Sequence, residues 1–151
     1  MYKKILIGVD GSEDAHKALN KVIDLYKNWG SEIIVFHSIQ HHMILSTFPI
    51  FGMNYSTPAR SYTSIFEDYK KAGLLILEET KKIFDKAGVP VETRLIEDIK
   101  PEQYIVDKTV EEKFDLVILG HKGHHSKIHN LLGSISSYVL NNVSCDVLIT
   151  R

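Results

Sequence analysis

Short runs that are apolar at every position constrain the fold of this chain most. Ile5, Leu6 and Ile7 form one such run, and Leu116 to Leu119 form another. A strand that is apolar throughout is buried on both faces, as in a parallel sheet that is covered by helices. Segments with helical spacing of apolar residues separate these runs. The chain is therefore expected to form a doubly wound α/β fold, with a parallel sheet and helices on both faces.

Five strands and four helices are expected, and a length of 151 residues suits one domain over residues 1–151. Ser12 is a suitable N-cap for the first helix, Gly30 a suitable end, and Pro101 suits the first turn of the third helix. Apolar spacing places Trp29 on the inner face of the first helix and Val110 on that of the third. The predicted strands lie near 5–9, 33–38, 91–96, 116–119 and 147–150, and the helices near 13–29, 63–87, 101–110 and 134–141.

The composition argues against several classes of partner and location. Charged residues make up 25% of the chain, the formal net charge is −1, and no long block of like charges occurs, so nucleic acid is not an expected partner. No stretch approaches the ~18 apolar residues of a membrane span, and the N-terminus lacks the pattern of a signal peptide. A single cysteine, Cys145, fits a reducing compartment. We therefore expect a cytoplasmic protein without a membrane partner.

The stretch after the fourth predicted strand has the features of a phosphate-binding loop. Gly120 ends the strand, Gly123 follows after two residues, and Gly133 with Ser134 opens the next helix. Glycines allow backbone amides to turn toward a bound group. The first amides of a helix have no partner within the helix, and they attract an anion. A strand, a glycine loop and a helix start in this order favour phosphate binding.

The spacing G-x2-G-x9-G-S of these residues resembles the motif of the universal stress protein family, in its ATP-binding branch. The resemblance extends to residues 3–12, 138–140 and 147–151, and in outline it covers the whole chain. It implies a Rossmann-like, five-stranded sheet of order 3-2-1-4-5, whose strand order reverses between strands 1 and 4. Ligands of open α/β sheets bind beyond the carboxyl ends of the strands at such a reversal. Asp10 and Gly120 end those two strands.

The resemblance also implies which residues contact the nucleotide. Asp10 matches a position near the adenosine, with Val9 beside it, and Ser38 matches an adenine-lining position that is usually Val in the family. Leu119 matches the entry of the phosphate loop. The implied ligand is ATP, with AMP or ADP as alternatives and Mg²⁺ accompanying the nucleotide. The implied phosphate contacts are Gly120, Gly123, Gly133 and Ser134 with the amides of Ile135 and Ser136, and the implied homodimer forms through Val147, Leu148 and Ile149.

Other interpretations of the same residues remain open. Asp10 has an alternative role as a cap of the first helix, and the glycines have one as ordinary turn residues. Lys122 and Lys127 could offset phosphate charge. The long segment 39–60 could cover a ligand, a partner or the core. The loop contains four histidines, which are His121, His124, His125 and His129. They suggest a metal site or a pH-sensitive loop.

The sequence also bears on enzymatic activity. His121-Lys122-Gly123-His124 has the letters of the H-x-G-H signature of nucleotidylyl transferases, which carry it after the first strand and need a downstream Thr and Arg that are absent here. The motif supplies no recognisable base, arginine finger or carboxylate pair to activate water. We therefore expect an ATP-binding, nucleotide-responsive module of the stress response with little or slow hydrolysis. The alternatives are an enzyme, either a slow ATPase or a nucleotidylyl transferase-like protein, and a nucleotide-free interaction protein.

Overall fold

Strands and helices alternate along the chain in the expected order. The computed structural model describes residues 1–39, 62–121 and 132–151, so the segment from residue 40 to 61 lies outside the described part. The strands are β1 (Lys4–Gly8), β2 (Glu32–Ile39), β3 (Glu92–Glu97), β4 (Leu116–Gly120) and β5 (Asp146–Thr150), and the helices are α1 (Glu13–Trp29), α2 (Tyr62–Lys86), α3 (Pro101–Glu111) and α4 (Ser134–Asn142).

The five strands form one parallel sheet of order β3-β2-β1-β4-β5, which confirms the predicted fold class. The chain adds β2 and β3 on one side of β1, and then β4 and β5 on the other. The register pairs Ile7 with Val35 of β2 and with Ile118 of β4. The strand order therefore reverses between β1 and β4, and their carboxyl ends lie side by side.

The two faces of the sheet carry separate apolar clusters. Ile5 and Ile7 face the cluster formed with α1 and α2, whereas Leu6 faces the cluster formed with α3 and α4. These three side chains are fully buried, because helices cover the central strand on both faces. Within the described residues, no helix is long and apolar enough to cross a bilayer.

Helix α1 has the ends that its sequence predicts. The Ser12 hydroxyl accepts a hydrogen bond from the Ala15 amide at 3.2 Å, which satisfies one of the donors left over at a helix start. At the other end, Gly30 adopts the left-handed region at φ 64° and its amide donates to the Tyr26 carbonyl at 2.7 Å. This placement directs the chain from α1 into β2.

Two predicted core positions are wrong. Val110 is 70% exposed, and the residues of α3 that are buried are Tyr104, Ile105 and Thr109. The Tyr104 ring lies 4.8 Å from the Phe36 ring of β2, so α3 is turned by about one residue from the predicted inner face. Trp29 is 36% exposed and packs edge-on against Tyr2 at 5.1 Å, at the end of α1.

An ion-pair network lies near the amino end of β1, opposite the carboxyl end where a ligand is expected. Two guanidinium nitrogens of Arg94 donate to the two carboxylate oxygens of Glu112 at 2.7 and 3.1 Å, and a third donates to Glu92 at 2.6 Å. Lys4 Nζ lies 3.4 Å from Glu112. Arg94 holds the pKa of Glu112 below its usual 4.5, chiefly through these hydrogen bonds. The network fastens the end of α3 to β1 and β3.

Candidate functional site

The carboxyl end of β4 lies directly under the first turn of α1. A Cβ added to Gly120 would lie 3.2 Å from the Ala15 amide nitrogen and from two atoms of Asp14. Glycine therefore allows this close approach, whereas a Cβ would require the helix backbone to shift by a few tenths of an ångström. Sequence reasoning assigned Gly120 to phosphate binding, and this packing requirement is a second and independent reason for glycine at this position.

Thr150 connects α1, β4 and the start of the glycine loop, and sequence reasoning did not identify it. Its hydroxyl lies 3.1 Å from the Asp14 carbonyl and 3.3 Å from the Leu119 carbonyl, so its single proton is shared between two acceptors. Its carbonyl accepts from the His121 amide at 2.7 Å. Thr150 therefore holds the end of β5 against both elements that border the reversal point. The sequence motif carries no signal for this role.

The loop between β1 and α1 is shaped by Asp10. Asp10 Oδ1 accepts a hydrogen bond from the Ser12 amide at 3.0 Å, and Gly11 between them has φ +77°. A carboxylate that bonds the amide two residues later stabilises a tight turn. Ser12 rather than Asp10 caps α1, and Asp10 prepares the turn that precedes the cap. The Asp10 carboxylate group is thus held at the carboxyl end of β1.

The two ends of the glycine loop meet at one point. The Gly133 amide donates to the His121 carbonyl at 3.1 Å, and a Cβ on Gly133 would lie 3.2 Å from that oxygen. Residues 122–131 lie outside the described part of the chain. The predictions for Gly123 and for the two lysines, Lys122 and Lys127, therefore fall outside it. Those for three of the four loop histidines also do, and these are His124, His125 and His129. His121 is described, and it is 5% exposed.

The start of α4 presents backbone amides at the end of β4. The first amide bonded within the helix is that of Ser137, which donates to the Gly133 carbonyl at 2.9 Å. The three amides before it belong to Ser134, Ile135 and Ser136, and Gly133 offers no side chain to cap them. The buried Ser136 hydroxyl donates to the Gly120 carbonyl at 3.1 Å. This bond fixes the amino end of α4 beside Gly120.

The two helix starts at the site differ in charge. The first turn of α1 carries Glu13 and Asp14, which lie 3.3 and 3.4 Å from Lys17 Nζ and raise the pKa of Lys17. The first turn of α4 carries no acidic residue. Because a helix start attracts anions unless carboxylates already occupy it, α4 is the better anion site. Within the described residues, no group of three or more His, Cys, Asp or Glu side chains is arranged to hold a metal ion.

The remaining predicted contacts lie at the same edge of the sheet but in different environments. Val9 and Leu119 are 6% and 5% exposed, and their side chains belong to the core, so they could reach a ligand only through backbone atoms. The Ser38 hydroxyl donates to the Ile99 carbonyl at 2.8 Å. Ser38 therefore holds the loop between β3 and α3 to the end of β2, which is a structural role that its sequence position did not predict.

The whole chain matches one protein family. A model described as the universal stress protein family matches residues 1–151. Universal stress protein YxiE of Bacillus subtilis is 30% identical over 151 residues, which is 100% of this chain and 100% of YxiE.

Solved structures share this fold over nearly the full length. The structure of hypothetical protein MJ0577 has a TM-score of 0.82 at 26% identity and covers 99% of this chain and 96% of its own. A universal stress protein in complex with cAMP has a TM-score of 0.69 at 24% identity, with coverages of 99% and 97%. A universal stress protein family protein from Arabidopsis thaliana with AMP bound has a TM-score of 0.66 at 15% identity, with coverages of 98% and 90%. At these identities, the last two are similar to this chain in fold.

Proposed function

Because the chain belongs to the universal stress protein family, we propose that it binds an adenine nucleotide where the carboxyl ends of β1 and β4 meet. The observation that carries this proposal is the start of α4, where Ser136 fixes the first three amides of the helix beside Gly120 and the N-cap Gly133 has no side chain to bond them. Structures of the same fold that hold cAMP and AMP support a nucleotide as the ligand. The bound nucleotide acts as a regulatory signal in the stress response.

The chemistry of the two loops assigns a place to each part of the nucleotide. The phosphates lie against the amides of Ser134, Ile135 and Ser136, beside Gly120 and Gly133. Gly123 is proposed as a further phosphate contact from the spacing of the sequence motif. The adenosine lies toward Val9, Asp10 and Ser38. A carboxylate accepts hydrogen bonds from ribose hydroxyl groups, so Asp10 suits the sugar. ATP with Mg²⁺ is the proposed physiological ligand, and AMP and ADP share its adenosine contacts.

The nucleotide is proposed to be retained rather than rapidly hydrolysed. Hydrolysis requires a group that positions or activates water. The Asp10 carboxylate already accepts the Ser12 amide at 3.0 Å, which suits a positioning role. The amides of α4 bind phosphate in the ground state and need not favour the transition state, so they support binding more than turnover.

The protein is further proposed to form a cytoplasmic homodimer through β5. Within the described chain, β5 pairs with β4 on one side, and an edge strand leaves a row of amides and carbonyls that can pair with another strand. Val147, Leu148 and Ile149 are half-buried along this edge. Pairing with the same strand of a second copy satisfies these backbone groups under twofold symmetry.

A proline at the first position of α4 tests the phosphate site. Ser134→Pro removes one amide without removing a helical hydrogen bond, because proline is tolerated at this position. Gly133 has φ −58° and ψ 151°, which is the extended conformation that a residue before proline prefers. Loss of one amide bond to a charged phosphate should weaken ATP binding about 10- to 100-fold, measured by isothermal titration calorimetry. Ser134→Ala is the matched control, since it keeps the amide and removes only the hydroxyl, so the further loss of affinity from the alanine to the proline variant measures the contribution of the amide.

The same preparation distinguishes the competing functions. Saturating ATP should raise the melting temperature, since a ligand that binds only the folded state stabilises it by ~2.7 kcal/mol at 100 times Kd. Incubation with ATP and Mg²⁺ should return intact ATP. Rapid release of ADP would instead identify an ATPase, and AMP with pyrophosphate would identify nucleotidyl transfer. An unchanged melting temperature together with the absence of calorimetric heat would favour a nucleotide-free interaction protein.

A further inference from the structure

The imidazole of His37 bonds the backbone at the point where the candidate site begins. His37 lies near the carboxyl end of β2 and is half-buried. Its Nδ1 is 2.7 Å from the Val9 carbonyl oxygen. A carbonyl oxygen only accepts hydrogen bonds, so Nδ1 carries the proton and donates it. Sequence reasoning treated His37 as no more than the end of a strand.

This bond stands where the ladder between β1 and β2 stops. The pairing of these strands ends with Gly8 and Phe36, and the Val9 amide donates to the Phe36 carbonyl at 3.0 Å. In a parallel ladder, the next donor to the Val9 carbonyl would be a backbone amide of β2. The His37 side chain bonds that carbonyl in its place. Both backbone groups of Val9 are therefore held by β2, although Val9 lies beyond the end of β1.

The planarity of the peptide bond carries this constraint to Asp10. In a trans peptide, the carbonyl and the following amide point in opposite directions. The Val9 carbonyl accepts from the His37 ring, so the Asp10 amide points away from that ring. Asp10 follows the carboxyl end of β1, which borders the reversal point. The orientation of the Val9–Asp10 peptide is thus set by the ring of His37.

Helix α2 holds the ring in this orientation. A Cβ on Gly73 would lie 2.8 Å from His37 Cδ2 and 3.0 Å from Leu95 Cδ1. A Cβ at 2.8 Å would force the imidazole or the helix to shift, so glycine lets α2 lie against the ring without such a shift. The ring is confined between the helix backbone and the Val9 carbonyl. It therefore has little freedom to turn Nδ1 away from Val9.

We propose that His37 is a positioning residue of the nucleotide site: its Nδ1–H holds the Val9 carbonyl and so orients the Val9–Asp10 peptide toward the bound adenosine. This role rests on the proposed function. In this role, His37 does not contact the nucleotide and acts through Asp10. The donor at the Nδ1 position, rather than the aromatic ring itself, is the feature that matters.

Two substitutions separate the donor from the ring. His37→Leu removes the donor, whereas His37→Asn places an amide NH₂ near the position of Nδ1. Loss of one neutral hydrogen bond that positions the site should weaken ATP binding about three- to tenfold in the leucine variant, measured by calorimetry. The asparagine variant should recover most of that loss. Equal affinity of both variants with wild type, or an equal loss in both, would overturn the proposal.

A measurement without nucleotide keeps this test separate from that of the proposed function. In the NMR spectrum of the wild-type protein, the neutral His37 ring should carry its proton on Nδ1, which is the less common tautomer in water. The Asp10 amide resonance should shift in His37→Leu and return toward its wild-type position in His37→Asn. An unmoved Asp10 resonance would refute the positioning role. Absence of ATP binding by the wild-type protein would refute the proposed function and, with it, the role toward a nucleotide, whatever the resonance shows.

Discussion

Replacing Gly73 by alanine should destabilise the fold, although it places a better helix former in the middle of α2. On helix propensity alone, the change is worth about 1 kcal/mol of added stability. The new methyl group would lie 2.8 Å from His37 Cδ2, 3.0 Å from Leu95 Cδ1 and 3.2 Å from Ile39 Cδ1. Three contacts of this kind require either the helix or the side chains to move.

The magnitude follows from what can move. Overpacking a buried position costs about 1–3 kcal/mol, and a shift of the His37 ring also weakens its 2.7 Å bond to Val9, which is worth about 1 kcal/mol. After the propensity gain is subtracted, the net loss should be about 1–3 kcal/mol. For a chain of 151 residues, this corresponds to a fall in melting temperature of about 2–12 °C.

The neighbouring position provides a matched control for propensity. Ala72 is exposed in the same turn of α2, so Ala72→Gly should lose about 1 kcal/mol through propensity alone. Both variants and the wild type are compared by urea unfolding and by differential scanning calorimetry. If Gly73→Ala gains as much stability as Ala72→Gly loses, α2 does not press on His37, and the packing argument is refuted.

Two further predictions concern the ion-pair network and the sheet edge. Glu112→Gln should cost about 1–2 kcal/mol at neutral pH, since it removes the charge that Arg94 bonds twice. Because the folded-state pKa of Glu112 is lowered, wild type should lose this stability as the pH falls below about 4.5, whereas the variant should show a flatter acid profile in pH-dependent urea unfolding; equal profiles would contradict this. Val147→Pro should convert a dimer to a monomer in light scattering at micromolar concentration. The neighbouring Asp146 amide donates to the carbonyl of Asp115, the residue directly before β4, at 3.3 Å, so the Val147 amide faces the outer edge. Val147→Ala keeps that amide and should stay dimeric, and a monomeric wild type would contradict the prediction.

The fold could be predicted because its signals are local. The run Ile5 to Ile7 is apolar at every position, and all three residues are fully buried in the central strand. Ser12 and Gly30 act at the two ends of α1 as their residue types require. The face of α3 could not be predicted from spacing, because Tyr104 is held inside by Phe36, which lies 68 positions earlier in the chain. Val110 is also apolar, yet it is 70% exposed.

The candidate site could be predicted only in part, for the same physical reason. The glycine spacing locates the edge of the sheet, and Gly120 does lie there. The atoms nearest to a Cβ at this position, however, belong to Asp14 and Ala15 of α1, which no local pattern reveals. The roles of His37 and Thr150 depend on carbonyls that only the folded sheet brings within reach. The glycine motif therefore predicts where two backbone segments lie close together. The structure is needed to show which neighbouring segment each glycine contacts.

The charges at the two helix starts determine the direction in which a nucleotide can lie. Helix α1 begins with Glu13 and Asp14 just after the Asp10 turn, and Lys17 is already paired with the first two carboxylates. Phosphates placed there would lie beside three carboxylates, those of Asp10, Glu13 and Asp14. An ionised phosphate has no hydrogen-bond donor for a carboxylate, whereas a ribose has hydroxyl groups that can donate. Helix α4 has no carboxylate in its first turn, and its N-cap Gly133 has no side chain to bond the first amides. For the proposed ligand, we therefore expect the triphosphate against α4 and the sugar against Asp10, because the reverse orientation would place the phosphates beside the carboxylates of Asp10, Glu13 and Asp14.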